Sequence, residues 1–187
     1  MTSAEDKARA ELARLKGQIS GKGRRILAVD PGTAATGICL LVDGEPEWIQ
    51  VVREKGATAE ERLPAMCCAV SSRVADAILG NDVDTVVIED QAIRPDDKRP
   101  NDILQLAKVV GAALAGVPRP LKVQLYTPLP VSWKGSVKGD VFTERIRQRY
   151  PAAGDMMHGV PEHLKHNGFD ALALAIWSIN KALPWRI

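Results

Sequence analysis

The 187-residue chain contains no apolar run approaching the roughly 18 residues that a membrane-crossing helix needs. Its polar start also lacks the apolar region of a secretory leader, so the sequence reads as a soluble, cytoplasmic protein with no membrane partner. Cysteine is scarce. Cys39, Cys67 and Cys68 are odd in number and without metal-finger spacing, and adjacent cysteines rarely pair with each other. All three are expected as reduced thiols, which removes a disulfide framework. Net charge is slight, +2 over the whole chain, so the sum of charges names no partner. What remains is a chain with 45% hydrophobic residues, sufficient for a single domain with an ordinary core.

Charge distribution says more than charge sum. Between Gln91 and Tyr150 eleven basic residues face five acids, leaving the remainder of the chain net acidic. A basic half suits a phosphate backbone, because phosphate contacts supply most sequence-independent affinity. An ordinary solvated surface is the plain alternative, especially for Arg145, Arg147 and Arg149.

The order of elements follows from periodicity. Ala8, Leu12, Leu15 and Ile19 recur at helical spacing over residues 4–19, after Thr2 and Glu5 in capping-box register. The Gly21–Arg25 stretch then reads as a basic linker, so residues 1–22 form an amphipathic extension and 23–187 the domain proper. Strands are expected near 26–30, 36–42 and 47–53, the last two joined by an Asp43-Gly44 hairpin turn. A helix near 59–80 and a buried strand near 84–89 follow, then a loop rich in charge and proline. Asn101 is placed to cap a helix running to about 115, and a strand at 121–126 leads to helices near 140–149 and 169–182. Three sequential strands followed by alternating helices and strands predict an α/β domain with a mixed sheet flanked by helices.

Three acids stand out in this layout. Asp30 ends a run of strand formers, Glu89 ends another, and Asp170 stands at the expected start of an Ala/Leu-rich helix. Taken alone, Asp170 reads equally well as a capping acid near a helix N-terminus. Carboxylates at the tips of apolar strands need solvent, a partner or a cation, because an unpaired buried charge costs several kcal/mol.

With Asp30-Pro31-Gly32-Thr33 and Thr36-Gly37, Ile88-Glu89, and Asp170-Ala171-Leu172-Ala173 in this order, the chain from about 26 to 179 resembles the RuvC-type Holliday-junction resolvases of the RNase H-like nuclease superfamily. The resemblance implies an RNase H-like fold and a homodimer that nicks branched DNA through two Mg²⁺ ions, with Mn²⁺ as a substitute. Asp30 would be the ligand shared by both ions, and Glu89 and Asp170 would each favour one side. Relatives carry Asp or His three residues before Asp170, where this chain has Asn167; its carbonyl oxygen can ligate but brings no charge. His166 is the other candidate for that place, against a purely structural role.

The resemblance also implies a lysine near the scissile phosphate, which Lys134 fits, with Gly135 behind it and Lys138 following. Arg94, Lys98, Arg99, Lys134 and Lys138 are the candidate nucleic-acid contacts, and Trp133 reads as a packing residue. Relatives often place an aromatic wedge just after the second acid, whereas Gln91, Ala92 and Ile93 stand here. RNA processing and non-catalytic nucleic-acid binding therefore stay in view as alternatives. So does an actin-like nucleotide binder, because Asp30-Pro31-Gly32-Thr33 resembles a phosphate loop of that related fold.

Overall fold

The computed structural model describes residues 24–91, 100–119, 123–135 and 139–181. The expected N-terminal helix, the wedge position Ile93 and the basic residues Arg94, Lys98, Arg99 and Lys138 lie outside the described residues.

Among the described residues five strands form one mixed sheet: β1 (Arg25–Asp30), β2 (Thr36–Val42), β3 (Glu45–Val52), β4 (Thr85–Ile88) and β5 (Gln124–Tyr126). Their order across the sheet is β3-β2-β1-β4-β5. β1, β2 and β3 make an antiparallel meander, whereas β4 and β5 run parallel to β1. The meander is closed by Asp43 and Gly44, both at positive φ as a tight type I′ hairpin requires. Asp43 also accepts the Arg24 backbone N–H at 3.0 Å, which pins the start of β1 to the turn. β3 begins two residues earlier than expected, because the two-residue turn leaves Glu45 already in register with Val42.

Strand alternation divides the core. Leu27, Val29, Val86 and Ile88 face one side and pack against α1 (Ala59–Asn81) and α2 (Pro100–Ala115). Ile26, Ala28 and Val87 face the other side, where α6 (Lys165–Lys181) covers the sheet. Between β5 and α6 lie α3 (Pro130–Trp133), α4 (Gly139–Arg149), α5 (Ala152–Met156) and a 3₁₀ turn over Glu162–Leu164.

Several expectations need correction. By length and composition Glu60–Asn81 is apolar enough to cross a membrane, although no uninterrupted apolar run occurs there. The fold takes up part of that apolar content, since Leu63, Met66, Val70, Val74, Ala77 and Ile78 are buried along α1. Asn101 lies within α2 (Pro100–Ala115) and so does not cap it. β5 is only three residues long, and the stretch expected as loop after it contains the single turn α3.

The largest correction concerns α6. It starts at Lys165, so Asp170 sits in its second turn and does not cap it. Gly168 reads in sequence as a helix breaker, but here it is a close-packing residue. A Cβ there would collide with Met157 Sδ and lie 2.8 Å from Ile49 Cγ2. Gly37 on β2 similarly faces the Asn167 backbone carbonyl, with no room for a Cβ. These two glycines let α6 press onto the sheet, and that contact fixes where Asp170 stands.

Candidate active site

β1 and β4 are parallel neighbours, so their C-terminal ends lie side by side. Asp30 is the last residue of β1, and the Glu89 N–H continues the ladder to Val29 O at 3.0 Å. Two-residue alternation puts Asp30 on the face of Ile26 and Ala28, and Glu89 on the face of Val87. Both carboxyls therefore turn toward α6, which brings Asp170. The loop leaving Asp30 is held tight: the Thr36 hydroxyl accepts the Gly32 N–H and donates to the Gly32 carbonyl, each at 3.1 Å. A Cβ on Gly32 would strike the Ala35 carbonyl, which explains the Pro-Gly sequence at this turn.

Lys134 completes the cluster. Its Nζ lies 2.6 Å from Asp170 Oδ2, and the Thr143 hydroxyl lies 3.4 Å from Oδ1. The same ammonium stands 5.2 Å from the ring centre of Trp133 and 5.5 Å from that of Phe142. Trp133 and Phe142 meet edge to face at 5.3 Å, and Trp133 is buried as expected of a packing residue. Gln91 donates its amide to Glu89 Oε1 at 3.1 Å, orienting the second acid.

Three carboxylates around one lysine leave negative charge in excess. Glu89 and Asp170 retain only 7% and 8% of their exposure, so water compensates little of it. Burial, then the charges of Glu89 and Asp170, hold the Asp30 carboxyl well above the usual range, with Lys134 pulling the other way. Burial also raises Glu89, against hydrogen bonds from Asp30 and Gln91 and the charge of Lys134.

Among the described residues no group of three or more His, Cys, Asp or Glu side chains is gathered closely enough to hold a metal ion as they stand. The donor chemistry nonetheless fits a hard divalent cation. Every acid offers oxygen, and burial together with the charges of Glu89 and Asp170 disfavours the charged form of Asp30, a cost that a cation would relieve. Asn167 and His166 line an open cleft of about 330 Å³ with Gly32–Ala35, Asp102, Ile103, Leu106 and Leu164. The Asn167 amide donates to Leu164 O at 3.0 Å, and His166 Nδ1 lies 2.9 Å from His163 O.

The basic segment is less free than its composition implies. Arg147 is held by Glu162 at 2.6 Å and lies over Phe169, and Arg149 lies over Tyr150. Sequence reasoning passed over Phe142, Thr143 and Gln91 as site residues. The Asp170 contacts of Lys134 and Thr143 span 36 and 27 residues, and no local spacing announces them.

No family model matches the chain, and no curated protein is similar to it in sequence. Solved structures are similar in fold. RuvC of Thermus thermophilus in complex with a Holliday junction substrate superposes with a TM-score of 0.60 at 17% identity, covering 84% of this chain and 94% of that one. A second Thermus thermophilus RuvC structure gives 0.55 at 19% identity, covering 84% and 95%. The yeast mitochondrial Holliday junction resolvase Ydc2 gives 0.52 at 13% identity, covering 95% and 85%. The mixed five-stranded sheet with its flanking helices thus matches the RNase H-like fold of these neighbours, as the sequence resemblance implied.

Proposed function

We propose that this chain is a divalent-metal-dependent endonuclease cutting branched DNA, the substrate class named for its structural neighbours. One observation carries this reading. Two adjacent parallel strands deliver Asp30 and Glu89 to the face where α6 sets Asp170 against Lys134. An acid cluster at the C-terminal ends of parallel strands, with a lysine at its rim, fits phosphodiester hydrolysis and has no evident structural purpose.

Asp30, Glu89 and Asp170 would hold Mg²⁺ or Mn²⁺, with Asp30 central because it contacts Glu89 and senses the charge of Asp170. When bound, such cations supply Lewis acidity at the phosphate and lower the pKa of water. The chain's own groups do the rest. Gln91 holds Glu89 in orientation, Lys134 places the phosphate, and the carbonyl oxygen of Asn167 is a neutral reserve donor beside the Gly32–Ala35 loop. Cutting both strands of a junction calls for two copies, and the exposed side of α2 around Leu104 offers the contact.

The test compares Mg²⁺- and Mn²⁺-dependent cleavage of a four-way junction, a flap, a linear duplex and RNA. Preferential nicking of the junction supports the proposal. Equal cutting of duplex or RNA keeps the nuclease and removes the junction preference. Junction binding without cleavage under either metal favours a non-catalytic relative, the reading that Asn167 in place of an acid supports.

A further inference from the structure

Lys134 has an unusual seat. Its ammonium contacts Asp170 Oδ2 at 2.6 Å, with both side chains largely buried at 19% and 12% exposure. Two aromatic faces flank it at 5.2 and 5.5 Å, close enough for cation–π attraction. Its backbone is equally fixed: the Lys134 N–H closes α3 on Pro130 O at 2.8 Å, and Gly135 follows at φ +62°. A solvated loop lysine would have none of these restraints.

We propose, resting on the metal-dependent reading above, that Lys134 is the resident counter-ion of Asp170, which a divalent cation displaces on binding. Trp133 and Phe142 are the positioning residues whose ring faces help hold the ammonium on Asp170. The argument is one of shared space. A hard cation of the Mg²⁺ kind binds oxygen at about 2.0–2.1 Å, and an ammonium at hydrogen-bond distance competes for the same carboxylate oxygen while repelling the ion. Without Lys134, Asp170 would be a buried charge facing two further acids, so the lysine keeps the empty cluster tolerable. The aromatic faces add to the lysine's hold on Asp170, so a cation that takes Oδ2 must overcome them as well.

Calorimetric titration of the full chain with Mn²⁺ tests this without any cleavage assay. Removing the competitor in Lys134→Met should tighten Mn²⁺ about tenfold, the equivalent of about 1.4 kcal/mol. Phe142→Leu should tighten it a few-fold by weakening the lysine's hold, and should add nothing in the Lys134→Met background. A merely structural Phe142 would shift the melting temperature and leave the dissociation constant unmoved, which overturns its positioning role. Unchanged or weaker Mn²⁺ binding in Lys134→Met, with binding still lost in Asp30→Asn, overturns the displacement and leaves the metal site standing. No Mn²⁺ binding by the unmodified chain overturns both.

Discussion

The two faces of the sheet are built from the same strands and end differently. On the α1/α2 face, Val29 and Ile88 close an apolar layer with Leu27, Leu40, Met66, Val70 and Val74, all fully buried. On the α6 face, the very next residues are Asp30 and Glu89, and the layer closes on carboxylates. Only one residue of alternation separates a stability face from a chemical one. The difference shows that the sheet's job is divided by side: one side secures the strands, so that the other can hold mutually repelling acids at fixed positions.

The sharpest way to break this comparison is Asp30→Asn. Loss of the central carboxylate removes several kcal/mol of transition-state stabilisation, so metal-dependent cleavage should fall by about a thousandfold or more. The same change removes the cost of keeping the buried Asp30 carboxyl, with its raised pKa, beside Glu89 and Asp170, so the metal-free melting temperature should rise. Retained cleavage, or a fall in melting temperature, would contradict a face that gives up stability for chemistry. Leu40→Ala is the mirror experiment on the other side. Leu40 is fully buried among apolar neighbours, so its truncation should cost about 2–5 kcal/mol in denaturant unfolding. The Mn²⁺ dissociation constant of the folded fraction should stay unchanged, and a shift in it would show that the faces are not independent.

Much of this division is legible in the order of residues alone. The Asp43-Gly44 turn, the strand tips at Asp30 and Glu89, and the succession of elements follow from alternation and turn chemistry. The seat of Asp170 does not. Gly168 ends a helix by any local rule, and only its contact with Met157 and Ile49 shows why a glycine belongs inside α6. Short elements such as α3, α5 and the 3₁₀ turn carry too few residues for a period to emerge. The Trp133–Phe142 seat of Lys134 depends on packing between segments that sequence spacing does not connect.

The gentlest probe is pH. Asp30 and Glu89 are both raised in the folded chain by burial, so the native state holds protons that the unfolded state has released. The sign follows from linkage: where the folded state binds more protons, stability falls as pH rises. Their contribution is complete below the ordinary carboxylate range of about 4 and is lost as pH climbs through the raised folded values. In chelator, the unfolding free energy should therefore decline above about pH 4, by no more than about 1.4 kcal/mol per pH unit for each retained proton. Asp30→Asn should flatten that decline, because it removes the group shifted most. Saturating Mn²⁺ should reverse it, since a cation that replaces those protons binds better as they leave. If the slope in chelator matches that of Asp30→Asn, the acids of the α6 face are not under the strain that sets it apart from the α1/α2 face.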